Sequence, residues 1–204
     1  MELTEAINKR KSVRGYESKQ ISEEELEAIL SVANKAPNAG PFQVTVIQDQ
    51  EFLKEVNDTA KAIMLDSEGF MKERASLPGY EPLYGAPTVI VLSAPIGPFT
   101  QTNVACSATT MILKATDLGI GTCYAVSPIM ALSKEGFIEK LNLPDGFAPV
   151  AAILMGYANG EGFPTEKEEV DNINRIWDLW LNIVLNADIW MTIAMITAVN
   201  VEHH

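Results

Sequence analysis

Hydrophobic residues recur along this chain with two spacings, and each spacing predicts a different kind of element. Apolar positions three or four residues apart predict helices at 3–9, from the capping box at Ser22 to Pro37, at 52–63, at 102–118 and near 134–141. Short β-branched or continuous apolar runs predict strands at 44–47, 88–92 and 150–155. Helices and strands therefore follow one another in mixed order, without strict alternation.

Residues 66–87 interrupt this pattern. They contain six residues that break regular structure, namely Gly69, Pro78, Gly79, Pro82, Gly85 and Pro87. This density predicts an irregular segment, and long irregular segments inside a domain often form lids or binding loops.

The C-terminal residues 176–201 are strongly apolar, but Asp178, Asn182, Asn186 and Asp188 interrupt them. The uninterrupted run at 189–199 is too short to span a bilayer, so we expect a helix that is buried or packed on a partner. It would extend, from about residue 172, a single domain covering residues 1–200. Residues 201–204 (Val-Glu-His-His) resemble the remnant of a purification tag.

The chain is acidic, with 27 Asp and Glu against 15 Lys and Arg, and a formal net charge of -12. Such a surface repels nucleic acids and anionic membranes, so small molecules are the expected ligands. No charged-apolar-small signal opens the chain, and its two cysteines lie in apolar surroundings. These features favour a cytoplasmic location over a secreted disulfide framework.

The only two histidines, His203 and His204, stand at the extreme C-terminus. A Ser-His-Asp or Cys-His hydrolase and a His-ligated zinc site each need an internal imidazole, so we expect none of them, and no metal site. The chain also lacks a C-x-x-C pair, a G-x-x-x-x-G-K-[ST] loop and a complete G-x-G-x-x-G fingerprint. A bound organic cofactor would supply chemistry that these side chains lack.

Residues 9–14 (Lys-Arg-Lys-Ser-Val-Arg) contain four cations and no acidic residue, which indicates an anion site in so acidic a chain. Guanidinium groups bind phosphate bidentately and a serine hydroxyl adds a neutral donor, so Arg10, Ser12 and Arg14 form a phosphate donor set. In an extended segment these three would share one side, with Lys11 and Val13 on the other. A solvated basic turn explains the motif equally well.

Residues 36–43 (Ala-Pro-Asn-Ala-Gly-Pro-Phe-Gln) begin where proline ends a helix. Asn38 and Gln43 each donate and accept hydrogen bonds, as a planar heterocycle requires, and Gly40 permits close backbone approach. An ordinary helix-to-strand turn is the alternative interpretation.

Residues 119–124 (Gly-Ile-Gly-Thr-Cys-Tyr) follow a helix that Gly119 is expected to end in the left-handed conformation. Backbone N–H groups near Gly121 and Thr122 would approach a ligand, or the segment is a helix end leading into a strand. Cys123 has no second cysteine nearby in sequence and no evident cationic neighbour, so we expect a buried, inert thiol.

Taken in this order and spacing, these motifs resemble the nitroreductase family of FMN-dependent oxidoreductases. R-K-S-V-R-G-Y at 10–16 resembles the family's R-R-S-x-R-x-F, and A-P-N-A-G-P-F-Q at 36–43 is similar to A-P-S-A-x-N-x-Q. G-I-G-T-C-Y at 119–124 is similar to G-L-G-T-C-W, and G-Y at 156–157 to a late G-Y-P. The resemblance covers residues 2 to about 160 and implies an α+β fold, with a central sheet between helices, in an interlocked homodimer.

The resemblance also implies an FMN site at the subunit interface. Arg10, Ser12 and Arg14 would hold the phosphate and ribityl end, Asn38, Gly40 and Gln43 would come from the other subunit, and Gly121 and Thr122 would lie near the reactive edge of the ring. The full set of cofactor-binding candidates is Arg10, Lys11, Ser12, Arg14, Pro37, Asn38, Ala39, Gly40, Gln43, Gly121 and Thr122.

The implied reaction is a ping-pong oxidoreduction in which NADH or NADPH is the reductant and a nitroaromatic, quinone or related planar compound is the acceptor. The flavin carries the chemistry, so no catalytic side chain is expected. The 66–87 segment would contribute to the acceptor pocket, where Phe70, Tyr80 and Tyr84 are candidates for stacking and, equally, packing anchors.

Two departures from the family pattern leave alternatives open. Pro41 replaces the Asn of the second motif, and the acidic run at 166–171 stands where many members place Lys or Arg for the phosphate. Lys61, Lys72 and Arg74 are candidates, by region only, for a cation near flavin N1 and O2. The alternatives are a non-catalytic flavin-binding or flavin-sensing dimer, and a family variant with another reaction such as reductive dehalogenation.

Overall fold

The computed structural model describes residues 1–38, 40–160 and 172. The first two ranges fall within one compact unit, Met1–Glu166. A second unit, Lys167–His204, lies outside the described residues except for Asn172, so the apolar C-terminal helix and the extent of the domain stay predictions.

Four antiparallel strands form the central sheet, in the order β1-β2-β4-β3. Their bounds are β1 Gln43–Ile47, β2 Thr88–Pro95, β3 Gly121–Ala125 and β4 Phe147–Gly156. The long apolar runs of β2 and β4 suit the two central positions, where both faces of the sheet are covered. The three strands predicted from β-branched and apolar runs are confirmed as β1, β2 and β4.

Six helices occur in the described part of the chain. They are α1 Leu3–Lys9, α2 Glu23–Leu30, α3 Gln50–Asp66, α4 Phe70–Ala75, α5 Thr100–Asp117 and α6 Ser127–Leu132. The capping box that predicted α2 is present: Ser22 Oγ accepts from Glu25 N, and Glu25 accepts from Ser22 N. Gly119, at φ +79°, adopts the left-handed conformation expected after α5.

Helices cover both faces of the sheet, because successive side chains of β2 and β4 point to opposite faces. On one face, Ile90 and Ile153 pack in a cluster with residues of α2 and α5. On the other face, Val91 and Leu154 pack in a cluster with residues of α3 and α6. This arrangement confirms the expected α+β fold with its sheet between helices.

The structure differs from the predicted elements in three places. The helix expected from Ser22 to Pro37 is shorter, because α2 ends at Leu30 and only a 3₁₀ turn follows at Ala33–Lys35. The 66–87 segment is not wholly irregular, because α4 begins directly after Gly69. The helix expected near 134–141 is wrong: α6 lies earlier, at Ser127–Leu132, and only a 3₁₀ turn forms at Glu139–Leu141. Pro128 suits the first turn of α6, whereas Gly136 has a φ of +83° and interrupts the predicted helix.

Among the described residues, no helix combines the length and the apolar character needed to cross a bilayer.

Candidate functional site

The basic segment 10–14 lies along the outer edge of β3. Val13 N donates to Thr122 O at 2.8 Å, and Ser12 pairs with Thr122 in a parallel bridge. Just beyond, Glu17 N donates to Tyr157 O at 2.9 Å. The segment is therefore fixed between β3 and the residues that follow β4, so the first and third motifs of the sequence meet in one chain.

Tyr16 anchors this segment to the core. It is buried, and its hydroxyl lies 2.9 Å from Val13 O and 3.3 Å from Leu154 O on β4. Burial, followed by the charges of Cys123 and Tyr84, raises the pKa of Tyr16 well above its ordinary value, against the opposing effect of Arg14. The phenol therefore stays neutral and serves as a hydrogen-bond donor.

Side chains of the basic segment alternate between two surroundings, as an extended backbone requires. Lys11 and Val13 line a cleft of about 270 Å³ together with Gly121 and Thr122. Ser12 and Arg14 instead lower the pKa of the Cys123 thiol, Ser12 through a hydrogen bond and Arg14 through its charge and a hydrogen bond.

Cys123 is buried and has a raised pKa. Burial is the main cause, while Arg14 and Ser12 oppose the rise through charge and hydrogen bonding. The expected buried thiol is confirmed, but Cys123 does have a cationic neighbour, which comes from a segment more than 100 residues earlier in the chain.

Arg74 brings a second positive charge to this place. Its guanidinium, like that of Arg14, lowers the pKa of Cys123. Of the three cations considered by region, Lys61 is paired with Glu81 at 2.7 Å and Lys72 is exposed. Of these three cations, Arg74 is therefore the one whose charge acts on Cys123 of β3, and its place near a flavin stays a prediction.

Residues 37–38 and 40–43 of the second motif lie at the opposite corner of the sheet. Gln43 opens the edge strand β1 opposite Ser93, whereas Thr122 lies opposite Met155, which in turn lies opposite Thr88. The path from Ser12 to Gln43 crosses four inter-strand spacings and runs five residues along the strands. The two corners are therefore roughly 25 Å apart. One chain therefore does not bring its second motif to its first and third.

The described residues of the second motif are exposed or contact other parts of the same chain. Pro37 and Asn38 are exposed, Gly40 lines a cleft of about 150 Å³ beside the β2–α5 turn, and Ala39 lies outside the described residues. Gln43 Nε2 is 3.4 Å from the carbonyl oxygens of both Leu141 and Asn142. Gln43 thus contacts the turn before β4 within its own chain.

Comparison with known families gives a match to the Nitroreductase family over residues 7–157, which include all four motifs. The chain belongs to the nitroreductase family. Membership in this family makes it an oxidoreductase. A relative from Archaeoglobus fulgidus, named "Putative NADH dehydrogenase/NAD(P)H nitroreductase", is 28% identical over 182 residues, covering 86% of this chain and 96% of the relative.

Solved nitroreductases share the fold. A nitroreductase with bound FMN from Desulfitobacterium hafniense is 26% identical, with a TM-score of 0.79, and covers 87% of this chain and 100% of its own. One with bound FMN from Bacteroides fragilis is also 26% identical, with a TM-score of 0.75 and the same coverage. An iodotyrosine deiodinase bound to FMN is 20% identical, with a TM-score of 0.66, and covers 86% of this chain and 100% of its own, so it shares the fold alone.

Proposed function

We propose that this nitroreductase-family chain is an FMN-dependent oxidoreductase that uses NADH or NADPH to reduce nitroaromatics, quinones or related planar acceptors. The observation that carries the proposal is the meeting of Ser12 and Arg14 with the start of β3 at Thr122. The two FMN-bound nitroreductases of the same fold support FMN as the cofactor.

The donors at the β3 edge suit a phosphate-bearing cofactor. Arg10 and Arg14 offer guanidinium groups and Ser12 offers a hydroxyl, all from a segment whose backbone is fixed on Thr122. FMN, when bound, supplies the redox chemistry by accepting electrons from the nicotinamide and passing them to the acceptor.

The chain's own residues would then bind and orient the cofactor and stabilise its negative charge. Arg10, Ser12 and Arg14 would hold the phosphate and ribityl end, and Arg14 with Arg74 would stabilise negative charge that develops during reduction. Burial raises the pKa of Cys123, so its thiol stays protonated and adds no negative charge to the site. Catalysis would therefore rest on fixed positive charge and backbone donors near Gly121 and Thr122.

We further propose that the site is completed by a second copy of the chain. The second motif and the β3 edge lie at opposite corners of one sheet, so Asn38 and Gly40 would reach the cofactor held by a partner subunit. A two-fold dimer places one surface of each chain against the other in this way and forms two equal sites.

The first experiment is the visible absorption spectrum of the purified protein, with identification of the pigment released on denaturation. We expect FMN near one per chain, and rapid oxidation of NADH or NADPH when a quinone or a nitroaromatic is added. Bound FMN without turnover would instead indicate a flavin-binding protein. Failure to take up added FMN would contradict the proposal.

Complementation tests the shared site. Arg10→Ala/Arg14→Ala removes the phosphate donors, and Asn38→Ala/Gly40→Val alters the other half. A Cβ at Gly40 would meet only Asn103 Nδ2, at 3.6 Å, and Gly40 has no positive φ, so the change is tolerable within its own chain. Each variant alone should lose FMN, whereas a mixed dimer should regain one intact site. If mixing restores no FMN, the site lies within a single chain.

A further inference from the structure

Arg74 of α4 is held by two tyrosines from the segment that follows this helix. Arg74 Nη2 donates to Tyr84 Oη at 2.9 Å, and the Arg74 guanidinium carbon lies 5.2 Å from the centre of the Tyr80 ring. The Tyr80 and Tyr84 rings pack edge to face, with centroids 5.6 Å apart and an interplanar angle of 87°. A flexible arginine side chain is thereby given one defined position.

The backbone at Tyr84 is strained in this arrangement. Tyr84 has a φ of +50°, and Gly85 follows at +74°. An aromatic residue in the left-handed region costs about 1–2 kcal/mol, and such a conformation persists only where its surroundings enforce it.

Hydrogen bonds on both sides of Tyr84 fix the segment. Tyr84 N donates to Glu81 O at 3.0 Å, and Leu83 N donates to Asn57 Oδ1 on α3 at 3.1 Å. Farther along, Pro87 O accepts from Gln20 Nε2 and Gln50 Nε2, each at 3.0 Å. The position of Tyr84 is therefore fixed largely by hydrogen bonds from distant parts of the chain to the residues around it.

Tyr84 also joins the helix α4 region to the β3 edge. It packs against the cluster that contains Tyr16 and Cys123, and against the smaller cluster of Met64, Ala75 and Tyr80. At this junction, the charges of Arg14 and Arg74 both lower the pKa of the Cys123 thiol. The guanidinium that Tyr84 holds thus lies near enough to Cys123 for its charge to lower the pKa of that thiol, as Arg14 of the basic segment also does.

We propose that Tyr84 is a positioning residue, which holds the Arg74 guanidinium at the junction between α4 and β3 so that a fixed positive charge, in addition to Arg14, acts on the cofactor site. This inference rests on the proposed function. A fixed charge stabilises the reduced, more negative cofactor without reorganising, whereas a released arginine moves into solvent, where water screens its charge. Tyr84 should therefore favour the reduced over the oxidised cofactor through Arg74.

The test uses the FMN-loaded protein and three variants: Tyr84→Phe, Arg74→Met and the double variant. Tyr157→Phe is the matched control, because the Tyr157 hydroxyl binds Glu25 at 2.8 Å instead of Arg74. Titration with a reductant gives the midpoint potential of bound FMN. Tyr84→Phe should lower the preference for reduced over oxidised FMN about tenfold, equal to about 30 mV for a two-electron couple.

Non-additivity separates positioning from a general structural effect. Because Tyr84 acts through Arg74, the double variant should have the same potential as Arg74→Met, and Tyr157→Phe the same potential as the wild type. An unchanged potential in Tyr84→Phe, or fully additive shifts in the double variant, would overturn the proposal. Equal unfolding midpoints of wild type and Tyr84→Phe would show that the fold is intact.

A measurement without FMN keeps this inference distinct from the proposed function. In the cofactor-free protein with Cys106→Ser, the pH profile of Cys123 thiolate formation reports the charge of Arg74. Tyr84→Phe should move this profile to higher pH, because a released Arg74 stabilises the thiolate less. An unchanged profile would overturn the positioning role even if FMN binds, whereas a shifted profile in a protein that never binds FMN would contradict only the proposed function.

Discussion

Val13 packs directly on the open face of Gly121. A Cβ added at Gly121 would lie 2.9 Å from Val13 Cγ2, closer than such atoms approach one another, and 3.1 Å from Gly156 O, which is a tight contact. Val13 is also hydrogen-bonded to the residue after Gly121, because Val13 N donates to Thr122 O at 2.8 Å. Gly121 therefore permits the basic segment to lie on β3, and the whole β3 edge of the site depends on this contact.

Gly121→Ala should push the basic segment away from β3. We expect a loss of about 1–3 kcal/mol in the free energy of unfolding, as for other overpacked sites. We also expect FMN affinity about tenfold lower, which corresponds to about 1.4 kcal/mol. Denaturant unfolding and FMN titration measure the two effects. Val13→Ala in the same chain removes Cγ2 and should restore part of both losses. If the double variant is worse than Gly121→Ala, the proposed clash is not the cause.

Tyr80 should make the protein less stable at alkaline pH. It is 2% exposed, and burial, with the neighbouring Tyr84, raises its pKa from 10.0 to about 12, against the effect of Arg74. Between these pH values the folded protein keeps a proton that the unfolded chain has lost, so stability falls as pH rises. Over two pH units this amounts to roughly 3 kcal/mol.

Unfolding in denaturant at pH 10 and pH 12 measures this effect of Tyr80. Tyr80→Phe removes the ionisable hydroxyl, so its stability should fall less over the same interval than that of the wild type. An equal fall in both proteins would assign the alkaline instability to other groups.

Cys106 should react with a thiol reagent before Cys123. Cys106 is partly exposed on α5, whereas Cys123 is buried and its pKa is raised, chiefly by burial. The thiolate is the reactive form, so both properties slow Cys123. Mass spectrometry after short exposure of the folded protein should find the label on Cys106, while denatured protein should carry it on both. Rapid labelling of Cys123 in the folded state would reveal opening of the β3 edge.

The cap of α2 should contribute to stability and not to the cofactor site. Ser22 Oγ accepts from Glu25 N, and Glu25 Oε2 also accepts from Tyr157 Oη at 2.8 Å. Ser22→Ala should cost about 1 kcal/mol in the free energy of unfolding and leave FMN affinity unchanged. Ser31→Ala, at the other end of α2, is the matched control and should cost less. A change in FMN affinity in Ser22→Ala would show that α2 is coupled to the site.

Local patterns were sufficient for most elements. The capping box and apolar spacing predicted α2, and the β-branched and apolar runs predicted β1, β2 and β4. The predictions failed at α4 and α6, two short helices whose stability comes from packing more than from their own sequence. The spacing of residues 134–141 favoured a helix, but Gly136 prevents it.

Some features of the candidate site, likewise, could be predicted from the sequence, and others could not. The sequence by itself determined which donor groups Arg10, Ser12 and Arg14 carry, because donor chemistry is a property of single residues. It also predicted close approach at Gly121, but of a ligand, whereas the structure shows Val13 packed there. Resemblance of the motifs then indicated the family, which comparison over residues 7–157 confirms.

Only the tertiary structure decided which groups share a surface. It placed Arg14 and Arg74, 60 positions apart, where the charge of each lowers the pKa of Cys123, and it put Gln43 at the far corner of the sheet. Strand order and helix packing depend on burying apolar area between distant segments, and no local spacing records which segments will meet. For that reason the motifs could be recognised in the sequence, whereas which charged residues meet in the fold could not.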